Sequence, residues 1–171
     1  AWVLVRRQVL HYCPAAVVRL YARFLRAAEA TGYDFALLMR RFSVSFEQLA
    51  HRLTTMQRVG ARGLPFCMLR FDRAGQISKR HAGASQSPLA DIHVPCPKWR
   101  AWDSLTGQEP FAADHVTLDD KGGWFTLAHR VSTNGLSPEQ GGATHSIVLG
   151  IAAELAGAIK APLTQDVLAR P

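Results

Sequence analysis

The feature that most limits what this chain can fold into is a change of hydrophobic period near residue 60. Before it, apolar residues recur every three or four positions. After it, they fall in short runs separated by turn residues. In the first part Val17, Leu20, Tyr21, Phe24 and Ala28 form one helical stripe, with Arg19, Arg23 and Arg26 on other faces. The pattern carries this helix from Pro14 to its end at Thr31-Gly32. Tyr33, Leu37 and Leu38 open a second, short helix that Phe42-Ser43-Val44 breaks. A third helix starts at Ser45, a good N-cap, and Gln48 three residues later completes a capping box. Val44 is placed to staple onto Leu49, and Leu49, Leu53 and Met56, with Phe46 alongside, make the buried stripe.

From Leu64 the chain reads as strands. Phe66-Cys67-Met68-Leu69-Arg70-Phe71-Asp72 and Gln76-Ile77-Ser78-Lys79-Arg80 flank the turn Asp72-Arg73-Ala74-Gly75, which predicts an antiparallel hairpin. Residues 81–110 hold Pro88, Pro95, Pro97 and Pro110 and read as a long loop with one short strand at 91–94. Segments 111–118 and 124–131, joined by Asp119-Asp120-Lys121-Gly122-Gly123, predict a second hairpin. Residues 134–143 read as a polar loop. Ile147, Ile151, Leu155 and Ile159, spaced by four, predict a closing helix over 144–160. The expected class is α+β: N-terminal helices, then an antiparallel sheet with one face packed by the C-terminal helix, comparable to GAF-like or PAS-like domains by fold analogy alone. The corresponding division is a helical segment at 1–60, an α+β domain at 61–160 and a peripheral tail at 161–171.

Charge is unevenly spread. Residues 1–80 hold 14 Lys and Arg against 4 Asp and Glu, a net of +10, whereas residues 81–171 hold 6 against 9, a net of −3. The basic half draws anions in general, whether nucleic acid, a polyphosphate ligand or acidic lipid, or it is a solvated helical face. Three widely spaced cysteines, Cys13, Cys67 and Cys96, argue for a reducing compartment, the cytoplasm. The opening apolar run is too short to span a bilayer and lacks a signal-peptide pattern. The chain begins without methionine, and we read it as a piece of something longer.

Several chemistries lack their motifs. There is no HExxH, no phosphate loop, no dinucleotide-binding glycine pattern and no serine-nucleophile motif. His93 and Cys96 could supply two metal ligands where a structural zinc needs four, so no metal or other cofactor is expected. Cys96 lies between two prolines beside Lys98, a cation able to raise its reactivity, or it is a small buried side chain. The second and third helices have the spacing of a helix-turn-helix, with Gln48, Arg52 and Thr55 as candidate base readers. The densest polar group follows them. Arg58 and Arg62 flank a glycine-punctuated turn, and Arg70, Lys79 and Arg80 come from the first hairpin. Arginine forks and backbone donors suit phosphate, while Phe66, Trp99 and Trp102 could stack on a base or line an acyl pocket.

Certain strings carry a family resemblance: Phe24-Leu25-Arg26-Ala27-Ala28, Gly32-Tyr33-Asp34, and residues 42–58, then Gly60-Ala61-Arg62-Gly63-Leu64-Pro65-Phe66, Asp72-Arg73-Ala74-Gly75, Ser78-Lys79-Arg80 and Cys96-Pro97-Lys98-Trp99. Together these resemble the C-terminal sensory region of the short-chain fatty acyl-CoA transcriptional regulators. That likeness covers residues 22–135 well and is thinner beyond. Val148-Leu149-Gly150-Ile151 followed by Ala156 resembles the family's final helix, with Ile151 standing where a cysteine usually follows the glycine. The family's cysteine-rich tail has no counterpart before Pro171.

The resemblance implies a non-catalytic, ligand-sensing domain of a regulator of acetate, propionate or related metabolism. It implies a homodimer, with a CoA thioester as signal and DNA bound by an XRE-type helix-turn-helix outside this segment. It assigns residues 1–60 to an IrrE-like connecting unit. The basic cluster beside aromatics, and not the resemblance, supplies the site: Arg58, Arg62, Lys79 and Arg80, with Arg70 nearby, are expected to hold phosphates and Phe66, Trp99 and Trp102 to enclose the apolar part, with Cys96 also at the site. Two other classes stay open: a thioester-processing enzyme using Cys96 and His93, and a module binding DNA directly or another protein.

Overall fold

The computed structural model describes residues 21–107, 111–118, 122–132 and 144–159. Three helices come first: α1 (Tyr21–Ala30), α2 (Phe35–Phe42) and α3 (Phe46–Thr54). A two-stranded hairpin follows, β1 (Gln57–Arg58) with β2 (Ala61–Arg62). The remaining strands are β3 (Cys67–Asp72), β4 (Ile77–His81), β5 (Phe111–Thr117), β6 (Gly123–Ser132) and β7 (Thr144–Ala152). They form one antiparallel sheet in the order β4-β3-β7-β6-β5.

The helix starts follow the local chemistry of their sequences. Asp34 caps α2 by accepting from the Leu37 amide at 2.8 Å. Ser45 and Gln48 form the complete capping box of α3, each side chain accepting from the other residue's backbone N–H. The β3–β4 hairpin turns on Asp72, whose carboxylate accepts from the Ala74 and Gln76 amides at 2.9 and 3.0 Å. Gly75 completes that turn at φ +78, a conformation that costs a side-chain-bearing residue strain. Both predicted hairpins are present, and the mixed helix and antiparallel-sheet class holds.

One element differs. Residues 144–152, expected as the start of a closing helix, are the central strand β7, and only Ala153–Ala158 wind into a 3-10 turn. Ile147, Val148, Leu149 and Ile151 are all buried because the strand is covered on both faces. Such a strand reads as a continuous apolar run, which periodicity cannot tell from a buried helix. The short strand expected at 91–94 is absent; Pro88–Asp91 is a 3-10 turn capped by Ser87. Residues 14–20, the polar loop at 134–143 and the tail at 161–171 lie outside the described residues.

Each sheet face has its own core. On one, Met68, Phe125, Leu127, Ile147, Leu149 and Ile151 pack with Phe24, Leu38, Phe46, Leu49 and Leu53 of the helices in a single cluster. On the other, Cys67, Leu69, Phe71, Trp124, Ala128 and Val148 meet Leu89, Trp99, Ala101 and Leu105. The second layer is therefore segment 83–107, built of short 3-10 turns and the single-turn helix α4 (Asp103–Thr106).

Polar contacts fix how the helices meet the strands. Glu47 in the first turn of α3 holds Arg70 of β3 at 3.1 Å and Lys79 of β4 at 3.0 Å through the same oxygen. Burial works to raise the Glu47 pKa, but the hydrogen bond and charge of Lys79, with Arg70 and His51, hold it below its ordinary value. One turn along, burial and the charge of Lys79 push His51 down to about 4, with His81 and Arg70 adding to the effect and Glu47 opposing it. The β1–β2 hairpin is tied back by two phenols. Tyr21 donates to the Ala61 carbonyl at 2.6 Å and accepts from the Arg58 amide at 3.1 Å; Tyr33 accepts from the Leu64 amide at 3.2 Å.

Two predictions follow from these contacts. His51 is neutral in the folded chain and binds a proton more readily once unfolded, so its stability contribution is present above pH 6.5 and lost as pH falls toward about 4. Glu47, with its lowered pKa, acts in the same direction at still lower pH. The melting temperature should fall across that window, and His51→Gln should flatten the decline; an unchanged profile in the variant would show that His51 is not responsible. Tyr21→Phe should lose about 1–2 kcal/mol in urea denaturation, since both partners of its hydroxyl are backbone groups.

Candidate functional site

The second layer leaves a cleft of about 460 Å³ between residues 88–99 and the edge strand β5. Its apolar lining comes from Leu89, Ile92 and Val94 on one side and Val116 and Leu118 on the other, with Trp99 between them. Cys96, Lys98, Asp114, His115 and Thr117 supply the polar groups.

Local sequence explains why this loop keeps its shape. Ser87 accepts from the Leu89 amide at 3.2 Å and so starts the 3-10 turn, placing Leu89 in the core with no exposed surface. Further on, two indoles act as pins. Trp99 donates to the Thr126 hydroxyl of β6 at 3.0 Å, and Trp102 donates to the Cys96 carbonyl at 2.9 Å. Trp102 also packs edge-on against Phe71 at 4.8 Å between centroids. Behind them, the buried Ser104 hydroxyl donates to the Ala101 carbonyl, and Ser104 and Ser146 are hydrogen-bonded at 2.8 Å. Across the cleft, Asp114 accepts from the Arg100 amide at 3.1 Å, which joins the loop to β5. Both walls are therefore held before any ligand arrives, the condition for a pre-formed pocket. A mostly apolar lining that includes Lys98 suits a small apolar group joined to a negative charge.

The residues singled out from sequence do not converge on one place. Cys96 and Trp99 line the cleft, and Trp102 supports its wall. Phe66 is buried on the opposite side of the sheet, among Tyr33 and Phe35 at 5.7 and 6.2 Å between centroids. Arg58 and Arg62 are exposed on the β1–β2 hairpin, on that same helical side, with the Arg58 guanidinium 4.4 Å from the centre of the Tyr21 ring. Arg62 borders a smaller cavity of about 380 Å³ beside Glu29 and Tyr33. Arg70 and Lys79 are engaged with Glu47. Arg80 pairs with Leu69 in register, but β4 is the far edge of the sheet, four strand spacings or roughly 19 Å from β5.

The residues proposed for base reading are likewise occupied. Gln48 completes the cap of α3. Arg52 is buried with its guanidinium 5.1 Å from the Tyr21 ring centre, and the Thr55 hydroxyl donates to backbone carbonyls of its own helix. The buried stripe of α3 packs on the sheet, which is a structural use of that helix. Cys96 is exposed, and no hydrogen bond links it to His93. Among the described residues no group of three His, Cys, Asp or Glu is placed to hold a metal ion, and no helix is long and apolar enough to cross a membrane. Sequence reading missed Leu89, Ile92, Val94, Asp114, Val116 and Leu118. The usable signal was the predicted strand at 111–118, with Val116 and Leu118 two residues apart, but nothing in the sequence pairs it with the proline-rich segment.

Comparison with known proteins places this architecture. The chain is 35% identical over 150 residues to the HTH-type transcriptional regulator PrpR of Mycobacterium tuberculosis, covering 88% of this chain and 30% of that protein. It is 33% identical over 147 residues to the HTH-type transcriptional regulator RamB of the same species, covering 86% and 31%. It is 37% identical over 125 residues to the propionyl-CoA carboxylase regulator of Cereibacter sphaeroides, covering 73% and 27%. The chain thus spans about 30% of the length of these curated relatives. A solved structure of a Mycobacterium tuberculosis transcriptional regulator matches with a TM-score of 0.75 at 34% identity, over 82% of this chain and 42% of that one. The family model described as short-chain fatty acyl coenzyme A regulator, C-terminal, matches residues 55–167, and this chain belongs to that family.

Proposed function

We propose that this chain is the ligand-sensing domain of a transcriptional regulator and that the cleft beside β5 receives the acyl end of a short-chain acyl-CoA thioester. One observation carries the reading: an apolar, pre-held cleft of about 460 Å³ in a member of a family named for short-chain fatty acyl-CoA. That volume lies within the range typical of small-molecule pockets. The names of the relatives, two HTH-type regulators and a propionyl-CoA carboxylase regulator, agree with this assignment. Lys98 is the cation at the cleft and takes the carrier's phosphate in this proposal, because Arg70 and Lys79 are engaged elsewhere, Arg58 and Arg62 stand on the helical side and Arg80 is at the far edge of the sheet.

The output of such a domain is a shift between two arrangements of a longer, dimeric parent that contacts DNA through another segment. A thioester produces that shift only by binding one arrangement more tightly than the other. The role is binding without turnover. The relatives' names as regulators support that reading.

Calorimetric titration of the chain with acetyl-CoA, propionyl-CoA and free CoA tests the reading. Saturable binding that favours a thioester over free CoA is the expected result. Val116→Asp, which puts a charge on a half-buried edge position, should weaken thioester binding by at least about tenfold while the chain stays folded. Lys98→Glu should weaken free CoA and thioesters alike and reduce the salt dependence. The absence of saturable binding, or full affinity in Val116→Asp, would remove the cleft from consideration.

A further inference from the structure

Gly150 lies on β7 in register with Cys67 of β3 on one side and Thr126 of β6 on the other. It faces the layer formed by segment 83–107. A Cβ placed there would meet the Cys67 Sγ at 2.7 Å and the Leu89 Cδ1 at 2.9 Å, both closer than van der Waals contact allows. Its backbone is not in the left-handed region, so the requirement for glycine is one of space. Leu89 therefore sits in a pit that exists because residue 150 has no side chain, and it is fully buried there. The same Leu89 is among the residues that border the cleft.

We propose that Gly150, acting through Leu89, sets the depth of the cleft and with it the length of acyl group the domain accepts. This rests on the acyl-CoA reading above. The strained contacts of a side chain at 150 are both with ends of side chains, so the backbone need not move. Cys67 is packed on the sheet among Ser85, Ser87 and the Gly150 backbone and has little room. On this proposal the displaced Leu89 side chain moves toward the cleft that it backs and shortens the pocket. Gly150 and Leu89 are both positioning residues in this scheme: Leu89 has no exposed surface and backs the cleft wall from behind.

The test is titration of the 171-residue chain and its variants with free CoA, acetyl-CoA, propionyl-CoA and butyryl-CoA. Gly150→Ala should weaken the longer thioesters relative to acetyl-CoA, on the order of tenfold, and leave free CoA unchanged. Leu89→Ala should shift preference toward the longer acyl groups, and the double variant should return toward the original order. If Gly150→Ala fails to fold, Leu89→Ala alone decides, with its melting curve confirming a folded chain. Unchanged ratios in a folded Leu89→Ala variant would overturn the inference while leaving the acyl-CoA reading intact. An equal loss for every compound, free CoA included, would also overturn it, because that is the mark of a purely structural residue. No binding of any thioester by the unsubstituted chain would remove both.

Discussion

The rest of the structure depends on β7 being covered on both faces. A strand with Ile147, Val148, Leu149 and Ile151 all buried cannot sit at an edge or leave one face to solvent. Two layers must therefore close over the sheet. The helices α1 to α3 supply one, and segment 83–107, which has little regular structure, supplies the other. A layer made of short turns does not tile a twisted sheet completely. The uncovered remainder, at the β5 edge, is the cleft.

Charge is used differently on the two sides. The basic excess of the first half is strong in the sequence, yet its most central members are consumed internally. Glu47 engages Arg70 and Lys79, and Arg52 packs over Tyr21. Partly buried cations need such partners, because removing them from water is costly unless an opposite charge or a ring face compensates. The field available to a ligand is thus smaller than the residue count implies, and the cleft has Lys98 as its cation. A cluster that is dense in sequence was read as dense in space, but strand alternation separates Lys79 from Arg80 and sends them to opposite faces.

The apolar half of the candidate site was more legible. Cys96-Pro97-Lys98-Trp99 stood out as chemistry-bearing, and the structure brings Cys96, Lys98 and Trp99 to the cleft. Trp102 is also there, as a wall support whose indole is used on a backbone carbonyl. Phe66 was misplaced for a definite reason. It precedes β3 by one residue, and that single step decides which face of the sheet a side chain joins. The opposite wall, Val116 and Leu118, was recognised as strand but not as pocket, since nothing local pairs it with a segment some twenty residues earlier.

By itself the sequence determined the local elements: the capping box at Ser45 and Gln48, the Asp72 turn, both hairpins, the α+β class and, through its strings, the family. These are set by contacts within a few residues or by direct likeness, so they survive without knowledge of the fold. Tertiary structure alone decided the identity of residues 144–152, the division of the cations and the position of the cleft. Each of those depends on what covers a surface from far along the chain. An isoleucine every fourth residue fits a helix face or a doubly buried strand equally well until the neighbours on both sides are known.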